Sequence, residues 1–263
     1  IYESKATILN GIDKGEINLP FVQKLTKGGY DGHGVTVINS KNDLTKLLSG
    51  VSVIEEKVEI EKEISVIVAR NRKGEIKSFP VVEMYFDPIA NLVDELICPA
   101  SITVEQSEKA VNIASEIIEL LNMEGLLAVE FFIDSKGEVI VNEVAPRPHN
   151  SGHHTIESII TSQFEQHLRA ILNLPLGSTK IKLPSVMINI LGADGYEGPV
   201  IYEGLSESLA IDGVKIHLYG KKITKPNRKM GHVTIMSSSI NCALKKAEKV
   251  KQLITVKSCK ENR

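Results

Sequence analysis

The densest group of reactive side chains lies at 142–154, where a predicted strand ends in Asn142 and Glu143 and a polar loop follows. The amide and the carboxylate suit a hard cation, while Arg147 and His149 suit an anion. Two prolines in the loop fix φ and remove backbone donors, so the polar side chains are presented on a stiff path. Because loops often carry function, the segment predicts a binding or catalytic site. The alternative is a polar surface loop between a strand and a helix.

A second carboxylate, Glu130, is expected beside Glu143. The turn 134–137 joins two predicted strands, 126–133 and 138–143, and places the two glutamates roughly opposite each other on one face. Facing carboxylates repel unless a cation lies between them. Mg²⁺ held by carboxylates and substrate phosphates is the usual arrangement in phosphate-transfer enzymes. The pair therefore predicts a magnesium site, and the alternative is two exposed strand glutamates.

A glycine-rich segment at 27–34 follows Lys24 between two predicted strands. Amides without a neighbouring Cβ can approach phosphate oxygens closely, and the lysine supplies positive charge. The segment is neither a Walker A loop nor a dinucleotide fingerprint, because no helix follows the glycines. It predicts a phosphate-binding hairpin tip, with an ordinary turn as the alternative.

Two charged segments give weaker signals. Residues 55–58 follow an apolar strand and precede Glu63, so they could offer edge amides to an adenine and a carboxylate to a ribose. Residues 219–232 form a basic loop in an otherwise balanced chain and predict an anion site. Taken alone, either segment is explained equally well as a charged surface exposed to solvent, without a binding site.

Composition limits the class of protein. The 263 residues are 42% hydrophobic, which suffices for one large core or two to three smaller ones. A net charge of −2 gives no reason to expect a nucleic acid or a membrane as partner. Three widely spaced cysteines form neither a metal motif nor a disulfide framework, which favours the reducing cytoplasm.

The predicted elements indicate an α+β fold with much antiparallel pairing. A strand is predicted at 75–84, and Ser40 with Asp43 predicts a short capped helix. Apolar spacing predicts a helix at 104–122, and a last helix begins near Ile240. A further helix begins at Ser162, and its apolar face is predicted to contain three residues: Phe164, Leu168 and Ile171.

Several of these motifs together resemble the ATP-grasp enzymes, and more closely the N5-carboxyaminoimidazole ribonucleotide synthetases of purine biosynthesis. The resemblance covers nearly the whole chain. It rests on five segments, of which 145–153 is specific to these synthetases: 28–32, 63–70, 142–157, 161–171 and 219–232. The resemblance implies an ATP-grasp fold of two α+β subdomains, 1–83 and 84–178, followed by a small β-rich C-terminal domain at 179–263.

The resemblance also implies a reaction. ATP, bicarbonate and 5-aminoimidazole ribonucleotide would give N5-carboxyaminoimidazole ribonucleotide, ADP and phosphate through carboxyphosphate. The implied cofactors are ATP and Mg²⁺, with Mn²⁺ as a substitute. The implied partners are these small molecules, with no nucleic acid or membrane, and the full-length protein would be a homodimer.

Site residues follow from the same resemblance. Those at the ATP phosphates would be Lys24, Gly28, Gly29 and Gly32. The adenine would be lined by Glu55, Glu56, Lys57 and Val58, and the ribose would be bound by Glu63. The metal ligands would be Glu130 and Glu143, with Asn142 beside them. The imidazole substrate would be reached by Tyr30 and Asp31. Bicarbonate and the carboxyl intermediate would be handled by Arg147, His149 and Asn150. The ribonucleotide phosphate would be held by Lys221 and Arg228.

Three features depart from the family pattern. His33 replaces the usual Lys or Arg after Asp31-Gly32, and Phe86 stands where the family has a histidine. The N-terminal domain of the family is expected to be missing. Two alternatives therefore stay open: another ATP-grasp carboxylase or ribonucleotide ligase, and a nucleotide-binding fragment that is catalytically incomplete.

Overall fold

The computed structural model describes residues 1–29, 34–86 and 93–259. The chain divides into two compact units, Ile1–Glu59 and Ile60–Arg263. This division falls at a different place from the first boundary in the three-domain scheme, which stays a prediction. Tyr30, Asp31 and Gly32, together with His33, lie outside the described residues.

In its described residues, the first unit is a small three-stranded antiparallel sheet with one α-helix and one 3-10 helix. Its elements are α1 (Lys5–Asp13), β1 (Phe21–Leu25), β2 (Val35–Ile38), a 3-10 helix (Lys41–Lys46) and β3 (Ser52–Glu56). The strand order is β2-β1-β3, so the glycine-rich segment connects two paired strands, as predicted. The expected capping box of Ser40 and Asp43 is present and begins the 3-10 helix.

The second unit contains a nine-stranded sheet, a smaller sheet and five helices among its described residues. The strands before the polar loop are β4 (Ile60–Arg70), β5 (Ile76–Ser78), β6 (Val82–Phe86), β7 (Val93–Cys98), β8 (Gly125–Asp134) and β9 (Val139–Ala145). The later strands are β10 (Ser185–Leu191), β11 (Gly198–Glu203), β12 (Val214–Leu218), β13 (Ile223–Thr224), β14 (Lys229–Met236) and β15 (Thr255–Ser258). The helices are α2 (Val104–Leu120), α3 (Thr155–Ser158), α4 (Gln163–Ile171), α5 (Leu205–Leu209) and α6 (Ile240–Leu253).

The large sheet has the order β12-β14-β10-β7-β6-β4-β8-β9, and β5 pairs with β4 outside this path. The small sheet has the order β13-β11-β15. Every pairing in the large sheet is antiparallel, as expected for an α+β fold. Strands β10, β12 and β14 lie within the segment 179–263, so that segment extends the large sheet.

Helices cover both faces of the sheet at β4 and β8, which explains why these strands are apolar almost throughout. On one face, Val66 and Val129 pack with α2. On the other face, Ile67 and Ala128 pack in the core that includes Ala170 of α4. A charged residue in such a strand loses water on both sides, so Glu130 in β8 is an exception that requires a function or a partner.

The predicted helix at 104–122 is confirmed as α2, which begins with a capping box of Thr103 and Gln106. The last helix, expected from about Ile240, is also confirmed. The predicted single strand at 75–84 is wrong, because β5 and β6 are separated at 79–81. Pro80 lies in this break, and proline has no N–H to donate to a strand ladder. None of the described helices is long and apolar enough to span a membrane.

Helix α4 begins at the predicted Ser162 cap, but its predicted buried face is wrong. Phe164, Leu168 and Ile171 are 41%, 54% and 42% exposed. The buried residues of the helix are Gln163, Gln166 and Ala170. Apolar spacing identifies a face but not the side on which the protein lies, and hydrogen bonds have placed the glutamines inside.

Candidate active site

Glu130 and Glu143 lie opposite each other on the paired strands β8 and β9, as predicted, and a shift in register between Glu130 and Phe131 completes this pairing. On the other side of β8, Ser65 of β4 pairs with Glu130. Side chains alternate along a strand, so Glu63 projects from the same face as Ser65. Three carboxylates and a hydroxyl therefore share one face at this end of the sheet.

A β-bulge lies beside the glutamate pair. Glu130 pairs with Glu143, but Phe131 pairs with Val141, which leaves Asn142 as the extra residue on β9. A bulge bends its strand and redirects side chains, and bulges are frequent next to active sites. The bulge explains how the adjacent Asn142 and Glu143 can both serve one site, although neighbouring residues in a regular strand point to opposite faces.

Burial and neighbouring negative charge disfavour the ionised form of Glu130. Burial, the charge of Glu143 and the charge of Glu63 raise the pKa of Glu130 to about 7, while Lys229 and Arg147 act in the opposite direction. Burial also raises the pKa of Glu63 to about 7. A cation at this face would relieve the repulsion, so the donor set fits Mg²⁺. Within the described residues, however, no group of three or more His, Cys, Asp or Glu side chains is arranged to hold a metal by itself.

His149 is held against this face by both ring nitrogens. Its Nδ1 accepts a hydrogen bond from the backbone N–H of Ser151 and lies 2.9 Å from the Ser151 hydroxyl. Its Nε2 lies 3.4 Å from Glu130 Oε1. Because a backbone amide can only donate, Nδ1 is the acceptor and Nε2 carries the proton that faces Glu130. The Ser151 hydroxyl is itself 2.9 Å from the hydroxyl of Ser65.

The other two predicted loop residues differ in their exposure. Arg147 is exposed and donates to the carbonyl of Pro148, and its charge stabilises ionised Glu130. Asn150 is part-buried and exchanges amide hydrogen bonds with Asn189 of β10. Asn189 in turn donates to the carbonyl of Val93. Asn150 therefore ties the loop to β10 and β7.

Four aromatic rings form a column that joins this loop to β12 and β14. Phe164 stacks on His153, His153 on His232, and His232 on His217, with centroid separations of 5.8, 4.9 and 4.6 Å. The Tyr219 hydroxyl lies 3.1 Å from His232 Nδ1. Burial, with smaller effects from neighbouring positive charges, lowers the pKa of His153 to about 4 and that of His232 to about 3. Both rings are therefore neutral near pH 7.

In the basic loop, Lys221 and Arg228 donate hydrogen bonds to two different backbone carbonyls. Lys221 Nζ donates to the carbonyl of Lys229 at 2.6 Å, and Arg228 donates to the carbonyl of Ile223 at 2.8 Å. Lys229, which was not among the predicted residues, is the basic residue of this loop whose charge acts on Glu130 and His153.

The remaining predicted residues lie in the first unit, apart from Glu63. Lys24 forms a 2.7 Å ion pair with Glu55, and Lys57 donates to Asn39. Gly28 has a φ of +78°, which glycine adopts without strain, and both Gly28 and Gly29 are exposed. Glu56 ends β3, and Val58 follows it in a half-buried position.

Comparisons with known proteins identify the family. Residues 6–164 match the model of the ATP-grasp domain, and residues 185–246 match that of the phosphoribosylaminoimidazole carboxylase C-terminal domain. The chain is 41% identical over 225 residues to an N5-carboxyaminoimidazole ribonucleotide synthase of Bacillus subtilis, covering 84% of this chain and 57% of the relative. The chain belongs to the N5-carboxyaminoimidazole ribonucleotide synthase family of ATP-grasp proteins.

Solved structures agree with this membership. The N5-carboxyaminoimidazole ribonucleotide synthetase of Thermotoga maritima is 49% identical, with a TM-score of 0.86 over 94% of this chain and 65% of that one. An N5-carboxyaminoimidazole synthase of Aspergillus clavatus, solved with ADP and 5-aminoimidazole ribonucleotide, is 28% identical, with a TM-score of 0.81 over 93% of this chain and 65% of that one. The predicted ATP-grasp fold is therefore confirmed. This chain spans between half and two thirds of the length of these three relatives.

Four residues that hold or flank the synthase-family site were not predicted: Ser65, Ser151, Asn189 and Lys229. Ser65 carried a usable signal, because it is the one polar residue within the otherwise apolar run 64–69. Ser151 belongs to the polar loop itself. Asn189 comes from a strand 39 residues beyond Asn150, and sequence spacing does not reveal that pairing.

Proposed function

We propose that this chain carries the ATP-binding, metal-binding and C-terminal part of an enzyme that carboxylates 5-aminoimidazole ribonucleotide with bicarbonate and ATP. A bicarbonate oxygen attacks the γ-phosphorus of ATP, and ADP leaves. The exocyclic amine of the ribonucleotide then captures the carboxyl carbon, either from carboxyphosphate directly or as CO₂ released from it. In both cases phosphate leaves with the bridging oxygen, and the amine loses a proton. The products are N5-carboxyaminoimidazole ribonucleotide, ADP and phosphate.

The carboxylate pair of Glu130 and Glu143 is the proposed metal site, with Asn142 at the bulge beside it. Bound there, Mg²⁺, or Mn²⁺ in its place, would neutralise phosphate charge during transfer. The protein contributes a fixed pair of ligands from adjacent strands, so little conformational entropy is lost when the ion binds. The raised pKa of Glu130 supports this role, because a cation would keep both carboxylates ionised.

His149, Arg147 and Asn150 are the proposed residues for bicarbonate and the carboxyl intermediate. The proton on His149 Nε2 faces Glu130 and the sheet face, so the ring can donate to an oxygen that enters there. Arg147 is exposed and can turn its guanidinium toward an anion. Asn150 holds the loop to β10 and so acts through position as well as through contact.

The roles of the remaining residues rest on the family. Lys24, Gly28, Gly29 and Gly32 would bind the ATP phosphates, and residues 55–58 with Glu63 the nucleoside. Tyr30 and Asp31 would reach the imidazole. Lys221 and Arg228 would hold the ribonucleotide phosphate after exchanging their backbone partners for phosphate oxygens.

The observation that carries the proposal is the opposed pair Glu130 and Glu143 beside the doubly held ring of His149, in a chain of the synthase family. The test mixes the chain with ATP, Mg²⁺, bicarbonate and 5-aminoimidazole ribonucleotide and follows phosphate release. Each mixture is run with and without the N-terminal portion of a relative. Phosphate release that depends on both bicarbonate and the ribonucleotide is expected, and release indifferent to either substrate would exclude the function.

A catalytically incomplete nucleotide-binding fragment is the second candidate, because the chain spans 57% of its Bacillus relative. In that case, the chain alone would bind ATP weakly and release phosphate slowly, and the added N-terminal portion would restore turnover. Full substrate-dependent turnover by the 263 residues alone would exclude this candidate. A cytoplasmic location is also proposed, and the free thiols of Cys98, Cys242 and Cys259 are compatible with it.

A homodimer is proposed for the full-length protein, with the apolar stripe of α4 as the contact between two copies. The stripe contains four residues: Phe164, Leu168, Ile171 and Leu172. Glu165 and Arg169 lie on the same helix, so two antiparallel copies related by a two-fold axis would place opposite charges against each other.

Leu168→Glu should shift the mass measured by light scattering from dimer to monomer. Leu209→Glu, an equally exposed position on α5, should leave it unchanged. A wild-type monomer at all concentrations would contradict the proposal.

A further inference from the structure

The inverted burial of α4 places two glutamines where an ordinary surface helix would have apolar residues. Gln163 and Gln166 are both 0% exposed. A buried amide loses its water, so it is stable there only if its donors and acceptor are satisfied. The contacts that satisfy the two side chains therefore indicate why each is buried.

The three hydrogen bonds of the Gln163 side chain are all made with the polar loop. Its Oε1 accepts from the backbone N–H of His149 at 2.8 Å, and its Nε2 donates to the carbonyl of His149 at 2.7 Å. The second Nε2 hydrogen points to His153 Nδ1 at 3.0 Å. One amide thus pairs with both backbone groups of a single residue, as a neighbouring strand would, and also fixes the tautomer of His153.

The surrounding structure leaves room for this amide and for little else. A Cβ on Gly152 would lie 2.5 Å from Gln163 Oε1 and 2.4 Å from Ile67 Cδ1, so a larger residue there would displace these buried side chains. The backbone N–H of Gln163 is also engaged and donates to the Thr155 hydroxyl at 2.8 Å. The side chain is therefore enclosed by the loop that it binds.

The backbone of residue 149 determines where its ring lies. Ser151 and Glu130 fix the rotation of the His149 ring. Gln163 fixes the peptide groups on both sides of the His149 Cα. A shift of about 1 Å in a reacting group can cost roughly a hundredfold in rate. Loss of the Gln163 contacts would allow such a shift without touching any group that faces the substrates.

We infer that Gln163 is a positioning residue that holds His149 for reaction with bicarbonate. The expected effect on the kinetics rests on the proposed function. The expected effect on the backbone of His149 rests on the geometry alone. Gln163 is not expected to contact any substrate, since its donors and acceptor are occupied by the protein.

Gln166 provides a matched control on the same helix. It is equally buried and makes the same two-sided amide contact, but with Gly177 instead of the polar loop: Nε2 donates to the carbonyl at 3.1 Å, and Oε1 accepts from the N–H at 2.7 Å. Methionine matches glutamine in length and removes the hydrogen bonds. Gln163→Met and Gln166→Met should therefore lose similar stability and differ only in their effect on the loop.

The first measurement needs no activity. Amide hydrogen exchange of His149 should become at least roughly tenfold faster in Gln163→Met, because its acceptor is lost, and should be unchanged in Gln166→Met. If Gln163→Met does not fold, Gln163→Glu keeps the acceptor but removes both donors. The ¹⁵N imidazole signals of His153 should then show the proton moving from Nε2 to Nδ1. Unchanged His149 exchange, or in Gln163→Glu an unchanged His153 tautomer, would overturn the inference.

The second measurement separates position from stability. Gln163→Met should raise the KM for bicarbonate by roughly tenfold or more and lower kcat, while the KM for ATP stays within about twofold. Gln166→Met should leave all three constants within about twofold at a similar loss of Tm. Equal kinetic effects from the two variants would overturn the positioning role. If the wild type shows no bicarbonate dependence, the proposed function fails, and the exchange and tautomer measurements still decide whether Gln163 positions His149.

Discussion

The polar loop around His149 and the basic loop around Lys221 both belong to the proposed site, but they are held in different ways. In the polar loop, His149, Ser151 and Asn150 are bound by side chains from β4, β8, β10 and α4. In the basic loop, Lys221 and Arg228 each donate to a backbone carbonyl of their own loop. The first arrangement is preorganised by the core, whereas the second can exchange a carbonyl for a phosphate oxygen when a ligand arrives.

This difference gives an order of expected effects. Changes in the preorganised part should affect the chemical step, because the geometry there is built before the substrates bind. Changes in the basic loop should affect the affinity for one substrate. Changes in the histidine column between them should appear chiefly in stability.

The largest effect is expected for Glu143→Gln. The substitution removes one of two facing charges at an exposed position of β9, so the fold should persist while activity at limiting Mg²⁺ falls roughly a hundredfold or more. Glu138→Gln, at the other end of the same hairpin, removes an exposed glutamate paired with Lys109 and should have little effect. Unchanged turnover of Glu143→Gln at limiting Mg²⁺ would refute the metal assignment.

A smaller and more selective effect is expected for Arg228→Ala. A hydrogen bond to a charged group contributes about 1.5–3 kcal/mol, so the KM for the ribonucleotide should rise by roughly tenfold or more. The KM for ATP should hardly change. The surface variant Arg72→Ala should change neither constant. If Arg228→Ala raises the KM for ATP and for the ribonucleotide equally, the basic loop supports the whole site and does not bind the ribonucleotide phosphate specifically.

The smallest effect on activity is expected for His232→Gln, whose main consequence is a changed pH dependence of stability. Burial lowers the pKa of His232 to about 3 in the folded protein, below the value of about 6.5 for an unfolded chain. The unfolded state therefore binds more protons between these values, and stability falls as the pH decreases from about 6.5 toward 3.

Each such histidine contributes a slope of about 1.4 kcal/mol per pH unit to the unfolding free energy within its interval. Denaturant unfolding from pH 7 to pH 4 should show a shallower dependence in His232→Gln than in the wild type. An identical slope in both proteins would show that His232 is protonated in the folded state and that the column does not exclude the charge.

The sequence predicted those parts of the site that are set by local geometry. The turn predicts that Glu130 and Glu143 lie roughly opposite each other, but the bulge completes the pairing. The register next to the turn pairs Phe131 with Val141, and without the extra residue it would place Asn142 opposite Glu130. The bulge at Asn142 could not be predicted, because the same residues also suit a regular strand. The buried face of α4 was misjudged for a related reason. Periodicity shows that Phe164 and Leu168 share a side, but the hydrogen bonds of Gln163 and Gln166 determine which side is buried.

Contacts distant in sequence account for the rest. Asn189 meets Asn150 across 39 residues, and Ser65 meets Ser151 across 86. Spacing carries no information about such pairs until the sheet order is known. The assignments of Tyr30, Asp31 and Gly32 lie outside the described residues and stay predictions.

The most direct test of the central claim follows an oxygen atom. If a bicarbonate oxygen attacks the γ-phosphorus and the carboxyl carbon is later transferred, that oxygen leaves with the phosphate. Turnover with ¹⁸O-labelled bicarbonate, ATP and 5-aminoimidazole ribonucleotide should therefore yield inorganic phosphate carrying one ¹⁸O atom, measured by mass spectrometry or ³¹P NMR. Phosphate released in a bicarbonate-dependent reaction without any ¹⁸O would contradict the proposed route through carboxyphosphate.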